Sequence, residues 1–125
     1  MQDLPRPETL VAAVAAFLRA EIAPQIKGAA NFQLRVAMNA LELVARQLVL
    51  APGSDAAELQ SLEGLLGRTG TLDELNAALC RAITDGSAKP ESRELRRHLW
   101  STTMAKLAVD QPSYATYKRA LAQDR

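Results

Sequence analysis

The chain has 125 residues, enough for one domain that folds without staples. Fifteen Lys and Arg against fourteen Asp and Glu leave a formal charge of +1, so no global field recruits nucleic acid or an anionic membrane. A single cysteine excludes an intrachain disulfide, and scarce aromatics beside abundant Ala and Leu favour helices over sheets.

Pro7, Glu8 and Thr9 open the first helix, because proline in a first turn gives up an amide that has no partner there anyway. Leu10, Val14, Phe17, Leu18 and Ile22 then form a helical stripe, and Pro24 is expected to end the helix. The apolar run at 10–18 is about half of the ~20 residues a membrane span requires. Asp3 and Glu8 stand where a signal peptide carries positive charge. The expected location is cytoplasmic, with no membrane association.

Gly28 marks the turn into a second helix over residues 31–50. Leu34, Ala37, Leu41, Val44 and Leu48 form one apolar stripe there, with Phe32, Val36, Leu43 and Leu50 beside it. Together they cover roughly 220° of the helix, far beyond the ~100° of a surface helix. This predicts an enclosed, central helix with Leu41 fully buried. Ala51-Pro52-Gly53-Ser54-Asp55 reads as a break, followed by a short third helix to about Leu66.

Gly67 and Gly70 bracket the next loop. Thr71 and Glu74 have the spacing of a capping box at the start of a fourth helix, whose buried edge is Leu72, Leu75, Leu79 and Ile83. Gly86 stops that helix, Pro90 opens a fifth that runs to about Gln111, and Pro112 interrupts it. A short last helix fits between Tyr114 and Gln123. No strand pattern occurs, so the expected class is all-α: one domain over 1–125, a bundle of five helices plus a short C-terminal one, with the 31–50 helix central.

Two polar groupings are candidates for function. On the second helix, Arg35, Asn39, Glu42 and Arg46 form a seam at three- and four-residue spacing. It reads as a solvated, ion-paired face, as the site of a small anionic-ligand binder or minor enzyme in which two arginines and an amide receive the ligand, or as an interface for a partner protein. On the fifth helix, Arg93, Arg96 and Arg97 form the strongest local basic patch, beside Trp100. An arginine pair next to tryptophan suits nucleic acid, but Glu91 and Glu94 interleave and no second basic stretch extends the footprint. Trp100, Met104 and Leu107 fit a core role better.

One histidine, His98, and one cysteine, Cys80, leave no metal-ligand spacing, and no metal or cofactor is expected. Cys80 beside Leu79 reads as a small buried apolar residue. The acidic pairs Asp73–Glu74 and Glu91–Glu94 fall in first helical turns, where the helix dipole favours them. No residue set carries catalysis.

Arg35-Val36-Ala37-Met38-Asn39-Ala40-Leu41, Leu75-Asn76-Ala77-Ala78-Leu79-Cys80 and Lys106-Leu107-Ala108-Val109-Asp110-Gln111-Pro112-Ser113-Tyr114 resemble a small bacterial all-helical family of uncharacterised function. The likeness runs from about Leu10 to Tyr114. Members are typically encoded beside aminoglycoside-phosphotransferase-like kinases and acyl-CoA-dehydrogenase-like flavoproteins. The resemblance implies an accessory role with a kinase-like or acyl-CoA-dehydrogenase-like partner, and it brings no catalytic residues. Self-association is the other expected partnership.

Overall fold

The structure, a computed structural model, describes residues 3–124. It is all-α, with no strand among the described residues. Five α-helices follow in order: α1 (Pro7–Phe17), α2 (Ala29–Leu66), α3 (Leu72–Thr84), α4 (Arg93–Asp110) and α5 (Ala115–Gln123). No helix among the described residues is long and apolar enough to cross a membrane. The chain divides into two units, Met1–Ala51 and Pro52–Arg125, and α2 runs through the boundary.

In the first unit α1 ends as Pro24 requires, through a widened turn. Leu18–Ile22 is π-helical, with the Ala23 amide bonded to the Leu18 carbonyl, and Ala23–Gln25 tightens into a 3-10 turn. Proline at 24 has no amide and its ring crowds the carbonyl four residues back, so the regular ladder cannot continue. Gly28 takes φ 70°, a left-handed conformation that side chains resist, and its carbonyl receives the amides of Asn31 and Phe32 at the start of α2. The Asn31 side chain donates to the Ala23 and Ile26 carbonyls at 3.1 and 3.0 Å, satisfying the loop backbone.

The buried line of α1 is Val11, Ala15, Leu18 and Ile22, whereas Leu10, Val14 and Phe17 of the expected stripe are exposed. On α2 the line is Leu34, Met38, Leu41 and Ala45, with Met38 alone fully enclosed. The enclosure expected of residues 31–50 is therefore not found. Leu41 is half-buried, while Phe32, Val36, Val44, Leu48 and Leu50 are exposed. The physical reason is simple: one helix and its following turn cover one side of α2 in this unit, and a 220° arc needs more neighbours than that.

A second difference concerns residues 51–55. The expected break is absent, and the second and third predicted helices are one helix with Pro52 inside it. Proline removes one amide and crowds the Leu48 carbonyl at a cost of about 3 kcal/mol. It does not stop this helix, which packs into a core beyond the proline. Leu59, Leu62 and Leu66 supply that packing.

The second unit holds the main core. Leu62 of α2, Leu75 and Leu79 of α3 and Leu95 of α4 are buried together, with Leu59, Leu66, Leu72 and Ala88 packed against them. Gly67, at φ 63°, closes α2. Thr71 caps α3 as its spacing predicts: its hydroxyl accepts from the Glu74 amide at 3.3 Å, and the Glu74 carboxylate accepts from the Thr71 amide at 2.9 Å. Asn76 of α3 donates to Glu58 of α2 at 2.8 Å.

Ser92 caps α4 two residues after Pro90, and Asp110 ends the helix just before Pro112. Two side chains are more open than expected on α3. Cys80 is exposed, because it lies about 100° round the helix from Leu79, past the edge of the buried face. Ile83 is also exposed, one turn beyond the leucine core.

Candidate functional site

The seam on α2 is organised by a residue from outside it. Arg19, on the π-helical turn, donates to Glu42 Oε1 through Nη2 at 2.8 Å and Nε at 3.1 Å. The same Nη2 reaches Asn39 Oδ1 at 3.4 Å. Asn39 and Glu42 are thus brought together by a guanidinium more than five helical turns away in sequence. Arg35 is exposed, and Arg46 is half-buried. The spacing of the seam reveals its polar face but not Arg19, whose position among apolar neighbours gives no local sign of the pairing.

The basic patch on α4 separates into different surroundings. Arg93 is exposed. Arg96 donates to the Glu91 carbonyl at 3.1 Å and so closes the loop before the helix. Arg97 lines a cleft of about 680 Å³ with Gln60, Ser61, Gly64 and Leu65 of α2 and with Ser92, Glu94, His98 and Ser101. Trp100, expected in the core, is instead exposed. Met104 and Leu107 are half-buried. The inner line of α4 is Leu95, His98, Thr102, Ala105 and Val109. Two of these five are polar, which is why an apolar stripe points to the wrong phase.

His98 is the polar residue that composition overlooks. It is 3 % exposed, and its Nδ1 lies 2.9 Å from Ser61 Oγ across 37 residues of sequence. Burial pushes the imidazole below its ordinary pKa; the Glu58 carboxylate opposes that shift and Lys106 adds to it. The ring is therefore neutral at pH 7, with Ser61 the partner of one nitrogen. Thr102 and Ser101 donate to the His98 carbonyl at 2.9 and 3.0 Å, fixing the turn that carries the ring.

The carboxylate of Glu94 serves the helix start. Its own backbone amide and the Ser92 hydroxyl hold it below the usual carboxylate range, and Arg97 assists. The Ser92 hydroxyl donates to it at 3.1 Å while accepting the Leu95 amide at 3.2 Å. Among the described residues, no group of three or more His, Cys, Asp or Glu is placed to hold a metal ion.

The remaining candidate is a surface. In the first unit, Leu10, Val14 and Phe17 lie one helical turn apart on α1 and are all exposed. Phe32 and Val36 form the matching i, i+4 pair on α2, and Phe32 is 69 % exposed. Only Ala15 and Met38 are buried among the described residues of this unit. Such a face suits association with apolar side chains and offers no group for bond chemistry.

Residues 24–114 match the family described as a domain of unknown function, DUF6285, and the chain belongs to that family. No curated protein and no solved structure matches the chain.

Proposed function

We propose that the protein is a non-catalytic helical interaction protein, and that its first unit docks another protein through the apolar faces of α1 and α2. The exposed apolar residues Leu10, Val14 and Phe17 on α1 and Phe32 and Val36 on α2 carry this reading. Val44, Leu48, Val49 and Leu50 further along α2 are exposed as well. A unit that buries only Ala15 and Met38 among its described residues gains little from its own core, so a covering chain would supply much of its stability.

The resemblance to a bacterial family encoded beside acyl-CoA-dehydrogenase-like and phosphotransferase-like proteins supports one of these as the occupant, in the cytoplasm. A second copy of the chain is the competing occupant.

The test is affinity purification of the tagged chain from its host, in parallel with a variant carrying Phe32→Asp and Val36→Asp. Stoichiometric recovery of an acyl-CoA-dehydrogenase-like or phosphotransferase-like protein with the first bait only supports the proposal. A wild-type dimer by light scattering that the same double substitution splits assigns the face to self-association. A monomer that recovers neither partner overturns the reading.

A further inference from the structure

We infer that the cleft between the end of α2 and the start of α4 binds a small organic carboxylate, its charge held by Arg97 and His98 and its apolar body lying on Leu65. The cleft belongs entirely to the second unit and is independent of the apolar face proposed above. Its volume of about 680 Å³ is that of a small-molecule site. Its walls are two helices fixed from beneath by Leu62 and Leu95, so its geometry is set before any ligand arrives.

Some polar groups lining the cleft are already hydrogen-bonded within the protein and others are open. The hydroxyls of Ser92 and Ser101 donate to Glu94 and to the His98 carbonyl, and the Glu94 carboxylate is taken by Ser92 and by backbone. The Arg97 guanidinium and the Gln60 amide make no hydrogen bond to another described residue. His98 uses Nδ1 on Ser61, and its Nε2 has no partner among the described residues. No fully buried side-chain nitrogen or oxygen among the described residues lacks a partner, so Nε2 is not sealed in the core and meets accessible space. An imidazole that is nine-tenths buried, with one nitrogen satisfied and the other open, is a directed hydrogen-bonding group. In the tautomer in which the Ser61 hydroxyl donates to Nδ1, Nε2 carries the proton and is the donor a carboxylate needs.

Charge selects the ligand. Arg97 supplies one planar donor fork, which matches a single carboxylate with two parallel hydrogen bonds. Glu94 beside it leaves the cleft with one positive and one negative group, a poor setting for a doubly charged phosphate. Leu65 and the bare backbone of Gly64 form the apolar floor, and a Cβ built on Gly64 meets nothing within 4 Å. A monoanion with an apolar body satisfies both ends.

The chain's single histidine makes the test direct, because every imidazole signal in its NMR spectrum belongs to His98. The full chain is titrated with benzoate, with benzyl alcohol of the same shape but no charge, and with inorganic phosphate. Benzoate should shift the His98 ring signals saturably and raise the ring's pKa, since a bound anion favours the imidazolium. Benzyl alcohol and phosphate should each bind at least about tenfold more weakly.

Arg97→Gln should weaken benzoate by a similar factor with the helical signal unchanged. Gly64→Leu, which fills the floor and favours the helix, should abolish the response. No saturable shift up to about 10 mM, the weak limit of useful binding, overturns the inference. So does an equal response to benzyl alcohol, or one to phosphate that matches benzoate.

Discussion

Leu75→Ala and Leu41→Ala measure where the fold is held. Leu75 has no exposed surface and sits among Leu62, Leu79 and Leu95. Truncating it removes three buried carbons and leaves a cavity that rigid helices fill poorly, at a cost of about 3–4 kcal/mol. Leu41 is half-buried, and Val44 and Leu48 on the same side of α2 are exposed, so water enters the space a smaller residue leaves. Its truncation should cost about 1–2 kcal/mol.

A chain of this length carries roughly 6–15 kcal/mol in total, so both variants stay folded and measurable. Urea unfolding followed by far-UV circular dichroism and by Trp100 fluorescence, which reports the second unit, resolves the pair. With a slope near 2 kcal/mol per molar, the midpoints should differ by about 1 M. Equal midpoints, or a larger loss for Leu41→Ala, would refute the placement of the main core in the second unit.

Stability should also rise with pH through the range just below 6.5. Burial holds His98 below its ordinary pKa, so in that window the unfolded chain binds more protons than the folded one, and the gain is complete above the unfolded value. Glu74, Asp85 and Glu94 are also held low, by Thr71, by Ser87 and by backbone amide and Ser92; their contribution is present above the ordinary carboxylate range and is lost at more acid pH. Unfolding midpoints across pH 3–8 should show the two windows, and His98→Gln should remove the upper one. Thr71→Ala deletes the cap on α3 and should lower stability by about 1 kcal/mol in the same urea assay. Pro52→Ala restores an amide inside α2 and should raise the unfolding free energy by up to about 3 kcal/mol, with a higher melting temperature and helical signal; a loss of stability would show that the proline fits a backbone that alanine does not improve.

What was legible in the chain follows the range of each interaction. Local chemistry was readable: the Thr71–Glu74 box, the turn at Gly28 and the stop before Pro112 lie where their residue types require. Pro52 misleads because a breaker signal measures only a local cost, and packing on Leu59, Leu62 and Leu66 outweighs it. The Arg19–Glu42 clasp and the His98–Ser61 contact span 23 and 37 residues, distances at which spacing carries no information. The phase of α4 misleads for a related reason. His98 and Thr102 occupy its inner face because Ser61 and a backbone carbonyl satisfy them there, whereas Trp100 does not share that line.

The apolar arc on α2 fails differently, and more usefully. Its breadth predicts cover on two sides of the helix, and the structure leaves Phe32 and Val36 exposed to water instead. It does not specify that the covering atoms come from the same unit. In the second unit, where α3 and α4 supply the cover, Leu62, Leu75, Leu79 and Leu95 are buried together. In the first, α1 shields one line, and the stripe through Phe32 and Val36 is left exposed. The mismatch between the breadth of that arc and the cover found in its own unit is what the proposed partner would have to cover.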